Sequence, residues 1–161
     1  MRSAGQVLER AIRGIPDPEI PVVTIGDLGM VRAVDIDDAG GRVEVSITPT
    51  YSGCPALEVI AERVRTVAAG HGFLAQVVTV LSPAWTTDWV TPAGRAALRQ
   101  VGIAPPAAVS AVPLTVALRR VECPRCGSTA TEELSAFGPT ACTALRRCTA
   151  CGEPFEEFKP L

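Results

Sequence analysis

The sequence predicts an α+β fold: a mixed small sheet with covering helices, followed by a separate small ribbon built on four cysteines. Three observations carry this prediction. Helix and strand patterns follow one another as helix, strand, strand, helix, strand, helix up to residue 101. A run with three prolines and no charge, residues 103–113, then interrupts them. Beyond it, Cys123, Cys126, Cys148 and Cys151 form two C-x2-C-G units. The domains are therefore placed at 1–104 and 118–161, with a linker at 105–117.

Residues 3–13 read as a helix, capped by Ser3, with Val7, Leu8, Ala11 and Ile12 on one face. Pro16, Pro18 and Pro21 stop it and keep the chain extended around Asp17 and Glu19. Residues 30–37 fit a strand with Met30, Val34 and Ile36 on one face. Asp38 to Gly41 form a hairpin turn. In residues 42–48, Val43, Val45 and Ile47 alternate with polar residues, the clearest strand in the chain. Pro55 suits the first turn of a helix running to about Ala69, closed by Gly70-His71-Gly72. Residues 75–81 are apolar enough for a central strand. Thr91, Pro92 and Gly102 bound a last helix at 91–101.

Composition narrows the function classes. Hydrophobic residues make up 47% of 161, enough for a buried core. The net charge is −2, and no basic stripe appears, only short pairs such as Arg119–Arg120 and Arg146–Arg147. That balance speaks against nucleic acid as a partner. No apolar run is long enough to cross a membrane, and the first fifteen residues lack a signal-peptide pattern. The expected location is the cytoplasm, where six cysteines point to metal binding or reactivity rather than disulfides.

Each C-x2-C-G unit has a physical logic. Two thiolates two residues apart grip one ion from a tight turn, and the following glycine supplies the positive φ that turn needs. Two such knuckles give four sulfur ligands, the donor set of a structural zinc ribbon. The rival is a rubredoxin-like iron site that transfers electrons. Twenty-one residues separate the knuckles, room for strands at 131–137 and 142–147. Cys142 reads as a buried thiol outside the ligand set.

Cys54 stands apart from that site. At the start of a helix, backbone N–H groups and the helix dipole favour a thiolate. Thr48, Thr50 and Ser52 surround it with hydroxyls. His71, the only histidine, sits at a helix end and reads as a solvated or capping residue. Asp17, Glu19 and Asp27 read as exposed turn acids, and Trp85 and Trp89 as packing residues near Asp88. No base pairs with a nucleophile, and neither a phosphate loop nor a dinucleotide fingerprint is present, so an enzyme acting alone is the least supported reading.

Several of these segments together resemble a known family. Asp17-Pro18-Glu19-Ile20-Pro21, Asp27-Leu28-Gly29-Met30-Val31, Thr50 to Cys54-Pro55, and the Trp85 stretch with Asp88 resemble the SufT-like iron–sulfur assembly family. The ribbon, with Ser135-x-Phe137-Gly138, Cys142 and Glu153-Pro154-Phe155, is similar to the D-protein family of phenylacetate degradation. The resemblance implies an accessory or maturation protein of the phenylacetyl-CoA epoxidase, a multicomponent monooxygenase. Its partners would be protein components of that system, and the chain is also a candidate homo-oligomer. The implied cargo is transient iron or an iron–sulfur cluster, with Cys54 as the transfer thiol. Asp17, Glu19, Asp27, Thr50 and Asp88 would support it, and Cys123, Cys126, Cys148 and Cys151 would hold structural zinc. Two other readings stay open: an electron-transfer subunit with iron in the ribbon, and a nucleic-acid-binding ribbon.

Overall fold

The structure, a computed structural model, describes residues 3–106 and 120–159. The expected linker at 105–117 falls almost wholly outside the described residues. Internal contacts divide the chain into two compact units, Met1–Trp85 and Thr86–Leu161.

In the first unit, α1 spans Ala4–Arg13. Ser3 and Gln6 cap it reciprocally: Ser3 Oγ accepts from the Gln6 N–H, and Gln6 Oε1 accepts from the Ser3 N–H. Leu8 and Ile12 are fully buried, whereas Val7, expected on the same face, is largely exposed. Strands β1 (Val31–Asp37) and β2 (Arg42–Ile47) form an antiparallel hairpin. Val43, Val45 and Ile47 turn inward as their alternation predicts. In β1 a register shift between Val31 and Ala33 breaks the alternation, so Met30 and Val31 are both buried.

Helix α2 (Leu57–Gly70) then crosses over to β3 (Leu74–Thr79), which lies parallel to β2. The helix buries Ile60, Ala61, Val64 and Ala68. Each large aliphatic side chain buried here contributes about 1.5–3 kcal/mol. The strand order is β1-β2-β3, so the central strand is β2. The central position expected for 75–81 is thus corrected: β3 is an edge strand, and its first residue Leu74 is 74% exposed. Its apolar composition reflects contact with α2 on one face, since Ala75 and Val77 lie level with Val43 and Val45.

In the second unit, a 3-10 turn at Thr87–Trp89 leads to α3 (Pro92–Gln100). Thr91 caps α3 through Gly94, and Pro92 occupies its first turn, as expected. Four strands follow: β4 (Ile103–Ala104), β5 (Thr131–Ser135), β6 (Thr143–Cys148) and β7 (Pro154–Phe158), ordered β4-β7-β6-β5. The strands expected at 131–137 and 142–147 are β5 and β6. Residues 103–104, read as the start of a proline-rich run, instead pair with β7 and join the ribbon sheet. Ala104, Val121, Cys123, Cys148 and Phe155 form its small core.

Candidate functional site

The two knuckles close in the same way. The Gly127 N–H donates to the Cys123 carbonyl at 2.9 Å, and the Gly152 N–H to the Cys148 carbonyl at 2.9 Å. Both glycines hold positive φ, 73° and 80°, which a side chain would disfavour. The Cys123 N–H reaches the Ser128 carbonyl and the Cys148 N–H the Glu153 carbonyl, each at 2.9 Å. In each pair the first cysteine is buried and the second exposed.

This twofold repetition draws all four sulfurs within 4.8 Å of one another. Cys123 and Cys151 Sγ are 3.9 Å apart, and Cys126 and Cys148 Sγ are 3.6 Å apart. Four sulfurs each ~2.3 Å from one tetrahedral ion would stand roughly 3.8 Å apart. The donor set and spacing therefore fit a single thiophilic ion. The protons are unevenly held. Backbone N–H groups of Cys151 and Ala150, with the Cys126 and Cys151 thiols, lower Cys148 to about 7. Cys126 is pulled down by the Ser128 N–H, but its contacts with Cys148, Cys151 and Cys123, together with desolvation, push it up to about 12. A cation is what would let all four carry charge at neutral pH. Cys142 is buried, lies beside the Thr140 hydroxyl at 3.2 Å, and stands outside this group of four.

Three arginines of the ribbon are paired with glutamates. Arg125 pairs with Glu153 at 3.1 Å, and Arg147 with Glu132. Arg146 Nη1 meets the buried carboxylate of Glu157 at 2.9 Å. Nothing in the sequence singles out Glu157. It lies in β7, a strand with a proline and two adjacent glutamates, which offers no apolar alternation to follow.

In the first unit, the chain between β2 and α2 forms consecutive turns. The Cys54 N–H donates to the Tyr51 carbonyl at 3.2 Å, and the Leu57 N–H to the Cys54 carbonyl at 3.3 Å. Helix α2 starts at Leu57 with no side-chain cap, so Cys54 and Pro55 precede its first turn. This corrects the expectation of a readily ionised thiol. Cys54 is half-buried, and that burial is the largest influence on it, pushing its pKa above the ordinary thiol value. The N–H groups of Ala56 and Leu57 oppose the shift, while the nearby charges of Glu19 and Asp17 reinforce it.

The acids at 17 and 19 thus lie within electrostatic reach of Cys54, a juxtaposition no sequence spacing reveals. Asp17 is buried rather than an exposed turn acid, because its Oδ1 accepts from the N–H of Glu19 at 2.9 Å and of Ile20 at 2.8 Å. Glu19 is raised above the usual carboxylate value by burial and then by Asp17. Asp27, partly buried, closes a separate turn, its Oδ2 accepting from the Thr24 hydroxyl at 2.7 Å. Thr50 is buried, and the buried Thr48 hydroxyl has no hydrogen-bond partner. Trp85 is buried and donates from Nε1 to the Leu28 carbonyl at 2.8 Å. Asp88 is exposed in the 3-10 turn of the second unit. His71 is exposed at the end of α2.

Comparisons with known proteins follow this division. Residues 109–159 match the family model of the PaaD zinc beta ribbon domain, and residues 6–81 that of an iron-sulfur cluster assembly protein. Over 149 residues the chain is 51% identical to an Escherichia coli (strain K12) protein provisionally named as a subunit of 1,2-phenylacetyl-CoA epoxidase. That alignment covers 90% of this chain and 86% of the relative. The chain belongs to the PaaD family. The first unit has further relatives of its own. The Fe-S protein maturation auxiliary factor SufT of Staphylococcus aureus (strain USA300) is 37% identical over 84 residues, 51% of this chain and 93% of the factor. A crystal structure of the DUF59 domain of unknown function from Bacillus anthracis matches at 26% identity with a TM-score of 0.53. It covers 59% of this chain and 91% of the other. Among the described residues, no helix is long and apolar enough to cross a membrane.

Proposed function

We propose that this PaaD-family protein is an accessory factor in metal-centre assembly, with Cys54 as its working thiol and the ribbon as a structural zinc module. The observation that carries the reading is the placement of Cys54 beside Glu19 and Asp17, in the unit that matches the iron-sulfur assembly model. A thiol held protonated by burial and by two neighbouring acids is quiet until a cation arrives. An incoming iron ion or iron–sulfur cluster, the cargo, offsets the negative charges and draws the proton off sulfur. Thr50 and Asp27, in the same unit as Cys54, enter this reading as supporting residues; Asp27 acts through the turn that leads to Leu28.

The client is a component of the phenylacetyl-CoA epoxidase, its iron–sulfur reductase or its di-iron oxygenase, and the protein works in the cytoplasm. The name of the 51%-identical relative supports this choice. The ribbon's part is to fold a segment with a core of only a few residues and to present it to the partner. The paired arginines argue against a nucleic-acid role, because Arg125, Arg146 and Arg147 all direct their charge to glutamates.

Substituting Cys54→Ser tests the reading. The variant is expected to fold and keep one zinc per chain, while the client recovered from the same cells loses iron and activity. A fully loaded client would refute it. Elemental analysis of anaerobically purified protein separates the electron-transfer reading: one zinc and no visible absorbance fits the structural module, and stoichiometric iron does not.

A further inference from the structure

Four sheet edges occur among the described residues, and three carry features that discourage pairing with another chain. Edge β1 has a register shift and the acids Asp35 and Asp37. Edge β5 has a register shift between Glu133 and Ser135 and two adjacent glutamates. Edge β4 is only two residues long. Bulges, charges and shortness are the usual means of blunting an edge. The fourth edge, β3, has none of them. Leu74-Ala75-Gln76-Val77-Val78-Thr79 contains neither charge nor proline, and its register with β2 is unbroken over all six residues.

The free side of β3 has a defined hydrogen-bonding phase. The Leu74 and Val80 N–H groups both point to the neighbouring chain, donating to the Gly41 and Ile47 carbonyls at 2.8 Å. By alternation, Ala75, Val77 and Thr79 turn their N–H groups outward. Leu74, Gln76 and Val78 share the sheet face with Arg42, Glu44 and Ser46, opposite the helix-covered side. Leu74 and Gln76 are exposed there.

We propose that β3 is a self-pairing edge, and that two copies of this chain join antiparallel through residues 74–78 about a twofold axis at Gln76. The backbone phase and the side chains agree on this register. Ala75 faces Val77 of the second copy as the hydrogen-bonded pair. Leu74 faces Val78, apolar against apolar, and Gln76 faces its own copy, amide against amide. The strand is uncharged, so no like charges oppose one another across the axis. The same operation on β5 would set glutamates against glutamates. Each chain then meets the other through the same patch, the isologous contact typical of twofold dimers.

The test uses the full zinc-loaded chain and sedimentation velocity over a wide concentration range. The expected mass rises with concentration from 16.8 kDa toward twice that value. Gln76→Lys and Gln76→Glu each set like charges on the axis and hold the protein at monomer mass, with unchanged circular dichroism. Mixing the two variants pairs opposite charges and restores the dimer. A wild-type chain that stays monomeric at every concentration overturns the proposal. So does a dimer indifferent to Gln76→Lys, which must use another surface, or a mixture of variants that stays monomeric. Should Gln76→Lys alone disturb folding, Leu74→Lys at the exposed strand end gives the same reading.

Discussion

The sulfurs of Cys126 and Cys148 stand 3.6 Å apart, although one belongs to the first knuckle and the other to the second. An ion held by all four sulfurs would therefore tie the two knuckles together, and its binding should be coupled to folding of the ribbon. Stripping the metal with a strong chelator should abolish protection from hydrogen exchange across β5, β6 and β7, while α1, α2 and the β1-β2-β3 sheet keep theirs. Structural zinc in such small modules contributes about 10–16 kcal/mol, far more than this ribbon's apolar core supplies. Cys148→Ser should have the same effect as the chelator, since that sulfur lies in the core beside Phe155. Metal should also be released on acidification, because ligation requires thiolates and protons compete for them.

Arg146 and Glu157 form the ribbon's buried ion pair, with Glu133 a more distant third member at 3.7 Å from Arg146. Glu157→Gln should destabilise the ribbon by about 3 kcal/mol, because it leaves a buried guanidinium with only the more distant, half-exposed Glu133 as counter-charge. Replacing both with apolar residues of similar volume should restore most of that loss. Denaturant titration of the zinc-loaded chain measures both changes.

Glu19 bears on Cys54 through charge alone, without a hydrogen bond between them. Removing its negative charge makes the thiolate easier to form, so Glu19→Gln should lower the Cys54 pKa and speed its alkylation at a fixed pH below that pKa. The sign follows from the direction of the shift: a neighbouring anion raises a thiol's pKa, and neutralising it reverses that part. Burial remains, so the value should stay above that of a free cysteine. Peptide-resolved rates of alkylation across pH give the titration of Cys54 separately from the ribbon cysteines. Asp17→Asn should move reactivity in the same direction but also cost about 1–2 kcal/mol of stability, since the Glu19 and Ile20 N–H groups would then bond a neutral amide oxygen in place of a carboxylate.

Much of this architecture is legible in the residues themselves. Val43, Val45 and Ile47 alternate cleanly because β2 is covered on one face only. Ser3, Thr91 and Pro92 mark helix starts because capping is a local interaction. The repeated C-x2-C-G units predict the sulfur cluster because both knuckles close within a few residues. What escapes a reading of the residues is what depends on distant parts of the chain. Pro55 suggests a helix start that the turns anchored by the Tyr51 and Cys54 carbonyls delay to Leu57. The apolar run at 75–81 does not say whether strands flank it on both sides or a helix lies on one face. Asp17 looks like any acid between prolines until its carboxylate is seen capping the Glu19 and Ile20 amides. Glu157 looks solvated until Arg146, on the neighbouring strand, is placed against it. The nearness of Asp17 and Glu19 to Cys54 likewise comes from packing the α1–β1 connection against the β2–α2 turn.

The role of Cys54 is tested most directly by the iron content of the epoxidase components purified from cells that carry either this protein or its Cys54→Ser variant. The variant should accumulate normally with its ribbon zinc intact, while the client component loses most of its iron. Equal iron loading with both forms would rule out Cys54 as the working thiol.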